Sequence, residues 1–208
     1  MKDKEYERLA GLIAFDAAFD AELRLYGMDE VGRGPLAGPV VAACVQMPPE
    51  PWIEGIRDSK KIAEARREKL ATIIRDQAVC YAIGSASVEE IEALNILGAT
   101  KLAMQRAYLQ MSDKTHMVLI DAINPDFLPA SGQGIVKGDA QSYAIAAASI
   151  VAKVERDSRM KELDGQYPVY GFARNKGYGT KEHIEALRAY GPCPFHRPSF
   201  IQGILHGR

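Results

Sequence analysis

The stretch that decides the fold runs from residue 25 to residue 45 and reads LYGMDEVGRGPLAGPVVAACV. Residues 25–31 predict a strand. The apolar run at residues 40–45 predicts a second strand, because it is short and rich in β-branched side chains. The segment between them is rich in turn formers, so a hairpin-like turn should join the two strands. These turn formers are Gly32, Gly34, Pro35 and Gly38.

Beyond this hairpin the pattern alternates between helices and strands. Further strands are predicted at residues 79–85, 116–120 and 134–136. Helices are predicted at residues 6–25, 62–78, 142–160 and 180–190. A further helix is predicted to begin directly after a capping box formed by Ser87 and Glu90. Paired early strands followed by this alternation predict an α/β fold, a mixed sheet with helices on its faces.

Length and charge narrow the possible functions. The chain has 208 residues, which suits one domain with its own core. Its net charge of -1 argues against a polybasic nucleic-acid binder. However, residues 1–50 carry 5 basic and 9 acidic side chains, whereas residues 151–208 carry 10 basic and 6 acidic ones. This asymmetry favours an anionic partner near the C-terminal part, although an uneven spread of solvated charge would look the same.

The three cysteines and the apolar runs bear on location. The cysteines are odd in number, and no pair has the spacing of metal ligands, so free thiols in a reducing cytoplasm are expected. No apolar run approaches the roughly 18 residues that a membrane span needs. The sequence therefore predicts a cytoplasmic protein that does not contact a membrane.

Four carboxylates stand at the ends of apolar elements. Asp29 and Glu30 are adjacent at the end of the first predicted strand, Asp121 follows a buried run, and Asp139 precedes the most apolar helix. Buried carboxylates need cations, and clustered carboxylate oxygens suit Mg²⁺ or Mn²⁺. Helix capping or turn hydrogen bonding would explain any one of them separately.

The glycine-rich turn has three interpretations. Gly32, Gly34 and Ala37 satisfy the G-x-G-x-x-G/A spacing of dinucleotide sites, but such a site needs a helix directly afterwards, and Pro39 opens a strand instead. Glycines also let a backbone approach a sugar-phosphate chain closely, because no Cβ stands in the way. A tight hairpin without any ligand is the third possibility.

Basic and aromatic residues are interleaved near the C-terminus. Tyr178 lies between two glycines beside Arg174 and Lys176, an arrangement suited to stacking on a sugar or base, although a flexible surface loop would have the same composition. The histidines show no paired or metalloprotease spacing. His196, next to Arg197, is a candidate phosphate contact.

Several of these stretches together resemble the signatures of ribonuclease HII. They cover about residues 24–200, in order and with ordinary gaps. The matching stretches are residues 27–40, Asp58-Ser59-Lys60-Lys61, Leu94-Asn95-Ile96, Lys137-Gly138-Asp139, residues 145–153, Arg156-Asp157, residues 175–180 and residues 196–200. The sister family ribonuclease HIII carries Lys at position 33, so Arg33 favours HII.

The resemblance implies a ribonuclease H-like mixed sheet flanked by helices, with a C-terminal helical segment. Residues 1–208 would form one catalytic domain with a helical leader at 1–23 and a substrate-contacting segment at about 161–208. The family pattern assigns metal binding and catalysis to Asp29, Glu30, Asp121 and Asp139. One departure is Ala122, where the family more often has Gly, so the shape of the loop after Asp121 is in question.

The implied activity is endonucleolytic cleavage of RNA in RNA/DNA hybrids and 5′ of single ribonucleotides in duplex DNA. Two Mg²⁺ or Mn²⁺ ions would activate water and stabilise the leaving 3′-oxygen, giving 3′-hydroxyl and 5′-phosphate ends. A monomer is expected. A DNA-specific nuclease of the same fold and a catalytically silent hybrid-binding module are the competing functions.

The resemblance also suggests substrate contacts. Gly32, Arg33 and Gly34 match the loop that senses the 2′-hydroxyl, and Tyr178 matches the tyrosine that packs on the sugar after the RNA-to-DNA junction. We expect backbone phosphates to be held by Lys60, Lys61, Lys176, His196 and Arg197.

Overall fold

The computed structural model describes residues 3–22, 24–114 and 116–205. Residues 1, 2 and 23 of the predicted leader and residues 206–208 of the predicted C-terminal segment lie outside that part. Five strands form one sheet in the order β3-β2-β1-β4-β5. Their bounds are β1 Leu25–Val31, β2 Val40–Gln46, β3 Cys80–Ala86, β4 Met117–Asp121 and β5 Gly132–Ile135.

The sheet is mixed, as predicted. Strands β1, β2 and β3 pair antiparallel, so the glycine-rich turn does join a hairpin. Strands β1, β4 and β5 pair parallel. The centre of the sheet, at β1, is therefore the place where antiparallel and parallel pairing meet.

Helices cover both faces of this sheet. Their bounds are α1 Asp3–Ala17, α2 Glu64–Gln77, α3 Val88–Leu109, α4 Tyr143–Gln166, α5 Phe172–Asn175, α6 Lys181–Tyr190 and α7 Pro198–Leu205. On one face α4 is the central helix, with α1 and α2 beside it. Helix α3 packs on the other face.

Helix α4 can lie close to β1 because of a glycine. A Cβ added at Gly27 would come within 2.1 Å of the Ala144 carbonyl carbon. The first turns of α4 are apolar all round and fully buried, as the run from Ala144 to Ala152 predicts. The close approach brings α4 onto the strand that ends in Asp29 and Glu30.

A carboxylate at the end of α1 caps α4. Asp16 is 2 % exposed, and its Oδ2 accepts a hydrogen bond of 2.9 Å from the Ala144 backbone N–H. Burial raises the pKa of this carboxyl to about 6, although the N–H groups of the helix start lower it in part. The leader is therefore packed into the core beside the start of the central helix.

Three helix predictions need correction. Helix α1 ends at Ala17, not near residue 25, because the chain turns there and Asp16 reaches α4. Helix α4 runs on to Gln166, beyond the predicted end at residue 160. The helix predicted at residues 180–190 is followed by another, α7, which the pattern did not indicate and whose first turn begins with Pro198.

No helix in the described ranges is long and apolar enough to cross a membrane. All three cysteines, Cys44, Cys80 and Cys193, are free thiols, and Cys44 is buried.

Candidate active site

Two of the four predicted carboxylates lie side by side at the end of parallel strands. In the register of β1 and β4, Met28 pairs with Ile120, so Asp29 and Asp121 come next on neighbouring strands. Parallel strands bring their carboxyl ends to one edge of a sheet, which is why residues 92 positions apart meet here. Glu30 follows on β1 and completes an acidic edge.

Asp139 joins this edge through a short turn. The carboxylate of Asp121 accepts a hydrogen bond of 2.6 Å from the Gly138 backbone N–H. A 3₁₀ turn over Gly138–Ala140 follows, with Lys137 in the left-handed region at φ 56°. We refer to Asp29, Glu30, Asp121 and Asp139 together as the acidic edge.

The electrostatics of the acidic edge are those of crowded anions. Burial raises the pKa of Asp29 well above its usual range, and the charges of Glu30 and Asp121 raise it further. Burial also raises the pKa of Glu30, against the nearby charge of Arg33. The pKa of Asp139 is raised by burial and by neighbouring carboxylates. Without cations these groups resist ionising together.

The acidic edge has unused capacity to bind a cation. The Oε2 atom of Glu30 is buried and has no hydrogen-bond partner, although an ionised carboxylate oxygen normally needs one. In residues 3–22, 24–114 and 116–205 no three His, Cys, Asp or Glu side chains are already arranged to hold a metal ion. Hard oxygen donors with an unsatisfied buried atom fit Mg²⁺ or Mn²⁺, and the carboxylates would draw closer around the ion.

Two further polar residues lie at the acidic edge, although no sequence pattern assigned them a role in the site. Asp58 lies near enough to Asp139 for a hydrogen bond between the carboxyl groups. Ser149, on α4, donates a hydrogen bond to Asp29, and its hydroxyl lies 2.8 Å from that of Ser59. A signal existed for Ser149, since it is the one hydroxyl within the apolar run of residues 144–152.

The glycine-rich loop and Tyr178 face each other beside the acidic edge. A Cβ added at Gly34 would lie 3.9 Å from Cε1 of Tyr178, whose ring is 41 % exposed. Gly32 has a φ of 101°, a conformation that side chains rarely adopt. Arg33 is partly exposed, and its Nη1 lies 3.4 Å from Oε1 of Glu30. The structure thus brings the two predicted sugar-contacting elements together.

The three lysines that are predicted to contact backbone phosphates differ in their exposure. Lys60 and Lys61 are exposed on a turn capped by Asp58, and the Lys60 charge lies close enough to Asp139 to lower its pKa. Lys176 is instead 9 % exposed, and its ammonium bonds the Ala173 carbonyl and Glu64. A phosphate contact is therefore possible for Lys60 and Lys61 as they stand, and Lys176 would first have to break internal bonds.

The side chains of His196 and Arg197 are buried and bonded internally, so in this structure neither is placed to make the predicted phosphate contact. Both side chains are buried, at 2 % and 0 % exposure. The Nδ1 atom of His196 accepts a 3.0 Å hydrogen bond from the Cys193 backbone N–H. Its Nε2 lies 3.0 Å from Nε2 of His183. Burial and the neighbouring imidazole lower the pKa of His196 to about 4, so the ring is neutral at pH 7.

The fold and the acidic edge define a metal-dependent nuclease of the ribonuclease H type. Solved structures support this class. Ribonuclease H2 from Pyrococcus horikoshii OT3 superimposes with a TM-score of 0.69 at 25% identity, over 88% of this chain and 97% of that chain. Bst ribonuclease HIII in complex with Mn²⁺ shares the fold with a TM-score of 0.59 at 16% identity, over 92% of this chain and 73% of that chain.

The chain belongs to the ribonuclease HII family, whose family model matches residues 26–203. A ribonuclease HII of Caldanaerobacter subterraneus subsp. tengcongensis is 55% identical over 181 residues, which are 87% of this chain and 75% of that protein. The resemblance noted in the motifs is confirmed, and so is the ribonuclease H-like fold.

Proposed function

We propose that this enzyme cleaves the RNA strand of RNA/DNA hybrids and incises duplex DNA 5′ of single embedded ribonucleotides, leaving 3′-hydroxyl and 5′-phosphate ends. One observation carries the proposal: the acidic edge lies directly beside a glycine-rich loop that faces the exposed ring of Tyr178. A site that cleaves next to a ribonucleotide needs carboxylates for metal ions and a close-fitting contact to one sugar.

The acidic edge would hold two divalent ions, Mg²⁺ or Mn²⁺, through Asp29, Glu30, Asp121 and Asp139. When bound, these ions activate the attacking water and neutralise charge on the leaving 3′-oxygen. Ser149 orients Asp29 by its hydrogen bond, and the Gly138 N–H orients Asp121. Support for a divalent ion comes from the related ribonuclease HIII that was solved with Mn²⁺.

The other contacts would select and position the substrate. The backbone of Gly32 and Gly34, with Arg33, reads the 2′-hydroxyl of the ribonucleotide, because glycines let the main chain approach the sugar. Tyr178 packs on the next sugar. Lys60 and Lys61 neutralise backbone phosphates, which positions the duplex and makes binding salt-dependent.

We further propose that residues 1–208 work as a single catalytic domain and as a monomer. Residues 1–23 serve as a leader, of which the described part, residues 3–22, packs beside α4. The segment from about 161 contacts the substrate through Tyr178. The free thiols fit a protein of the reducing cytoplasm. A nuclease of this specificity would act in the excision of ribonucleotides from DNA.

A duplex with one ribonucleotide tests the proposal. We expect a single cut 5′ of that ribonucleotide in Mg²⁺ or Mn²⁺, none in EDTA, and none on the matched duplex without RNA. Cleavage of the RNA-free duplex would instead identify a DNA-specific nuclease. Binding to hybrid without cleavage in either metal would identify a silent binding module.

A further inference from the structure

The guanidinium of Arg197 is bonded entirely to the backbone of the glycine-rich loop, residues 32–38. Its side chain is fully buried, and an arginine has five N–H donors in one rigid plane. All five find carbonyl acceptors. The bonds are Nε to Gly38 (3.0 Å), Nη1 to Arg33 (3.0 Å) and Pro35 (2.8 Å), and Nη2 to Gly32 (2.6 Å) and Gly38 (2.7 Å).

A second buried arginine, Arg156, ties the same loop to the Tyr178 segment. Its Nε and Nη2 each donate a 3.0 Å bond to the carbonyls of Pro39 and Ala37, and its Nη1 donates a 2.9 Å bond to Lys176. A Cβ at Gly32 would fall 2.2 Å from Arg156 Nε, so the loop lies against this side chain.

Main-chain bonds join the same three segments. The Leu36 N–H donates to the Gly177 carbonyl at 2.8 Å, and the Leu36 carbonyl accepts from the Arg197 N–H at 2.8 Å. The loop, the segment that carries Tyr178 and the segment that carries Arg197 therefore form one hydrogen-bonded unit.

The charges of the two arginines are unusual. Among the described residues neither guanidinium has a carboxylate within ion-pair distance, and burial lowers their pKa to about 10 and about 9. Both remain charged at pH 7. Buried cations without counter-ions are costly, and carbonyl dipoles satisfy them only while the loop keeps its present shape. The guanidinium planes therefore fix the path of the backbone.

We propose that Arg197 is a positioning residue for cleavage, which sets the shape of the loop that reads the ribose and holds it against the Tyr178 segment, with Arg156 behind it. This inference rests on the proposed function. The binding energy comes mostly from phosphate contacts elsewhere, so a misplaced loop should slow turnover more than it weakens binding.

Arg197→Lys tests whether the planar guanidinium, with its five N–H donors, is needed at this position. Lysine keeps the charge but offers only three donors from one nitrogen, so it cannot serve four carbonyls. On the single-ribonucleotide duplex we expect kcat to fall at least about tenfold while KM changes less than about threefold. Wild-type kcat in a folded Arg197→Lys variant would overturn the proposal.

Arg197→Ala with added guanidinium chloride at millimolar concentration gives a second readout. We expect free guanidinium to restore part of kcat, because it can refill the vacated cavity. Arg106→Ala is the matched control. Its guanidinium makes bonds of 2.8, 2.8 and 2.6 Å to Ser85 and Glu90, away from the loop, so its kcat should be normal and unaffected by guanidinium.

Thermal unfolding of each variant separates positioning from instability. If kcat falls only in proportion to the fraction unfolded, or if guanidinium restores nothing in a folded Arg197→Ala variant, the positioning role is wrong. Failure of the wild-type enzyme on the ribonucleotide duplex would instead refute the proposed function, so the two failures are distinguishable.

Discussion

The protein contains two clusters of like charge, one partly buried and one fully buried, and their polar atoms are satisfied to very different extents. The acidic edge holds carboxylates whose pKa values are raised, and Glu30 has an oxygen without any partner. The two arginines, Arg156 and Arg197, have eight hydrogen bonds to backbone carbonyls. The unpartnered oxygen at the acidic edge leaves that cluster open to a ligand, whereas the fully bonded guanidinium of Arg197 is part of the scaffold.

The largest effect is expected from neutralising the acidic edge. Asp139→Asn should lower cleavage of the ribonucleotide duplex at least a thousandfold, about 4 kcal/mol of activation free energy, because a neutral amide is a poor ligand for a hard cation. Product formation over time in Mg²⁺ measures it.

Metal-dependent stability is the control for this variant. Mg²⁺ should raise the Tm of the wild-type protein, since a ligand that binds only the folded state stabilises it, and should raise that of Asp139→Asn less. Near-normal turnover in Mg²⁺ would show that Asp139 is not a metal ligand.

Asp16 is an intermediate case, a buried carboxylate that is only half satisfied. Its folded pKa of about 6 lies above the ordinary 3.8, so the protein loses stability as pH rises through 6 and keeps it below about 4. Asp16→Asn should therefore be more stable than wild type by about 3 kcal/mol at pH 8 and about equal at pH 4.

Denaturant unfolding at the two pH values measures this difference. Asp20→Asn is a suitable control, because that side chain is more exposed. A lower stability of Asp16→Asn at pH 8 would show that the negative charge itself is needed at the start of α4.

Tyr178 tests the second cluster, because the arginines hold the segment that carries this exposed ring. Tyr178→Ala should lower kcat/KM on junction substrates. The corresponding rise in activation free energy should exceed about 1 kcal/mol, the scale of aromatic stacking on nucleic acid. Tyr178→Phe keeps the ring and should stay near wild type. Unchanged kinetics for Tyr178→Ala on a single-ribonucleotide duplex would eliminate the stacking role.

The smallest effect is expected at Ala122, next to Asp121. Its φ of 53° is in the left-handed region, where a Cβ is strained and glycine is favoured. Ala122→Gly should raise stability by about 0.5–1 kcal/mol, read as a higher Tm with cleavage retained. A lower Tm would mean that strain is absent at this position.

The sequence patterns and the family resemblance together predicted which carboxylates meet at the acidic edge, but they did not predict the contacts of the arginines. Asp29, Glu30 and Asp121 terminate apolar strands, and strand ends in a parallel pair converge, so local patterns carry the information. The role of Arg197 depends on a loop 165 positions earlier in the chain folding back over it. No local pattern specifies that approach.

The sequence also failed to predict the contact between two histidines and the kink in α3. His183 and His196 meet only because α6 and the segment before α7 pack together, and their sequence spacing of 13 gives no sign of it. Asn95 adopts φ 58° and ψ 172° inside α3, with its side chain accepting from the Leu97 and Gly98 N–H groups. Helix-forming neighbours on both sides conceal this interruption.

The bonds of Arg197 also determine when, during synthesis of the chain, the glycine-rich loop can take its final shape. The glycine-rich loop is synthesised first, and Arg197 follows 165 residues after Gly32. At about 5–20 residues per second, translation takes roughly 10–30 s to cover that distance. By the time Arg197 is added, the chain already contains Asp29, Glu30, Asp121 and Asp139, so all residues of the acidic edge precede the group that shapes the ribose-reading loop. The shape of the loop can therefore be completed only after Arg197 has been synthesised.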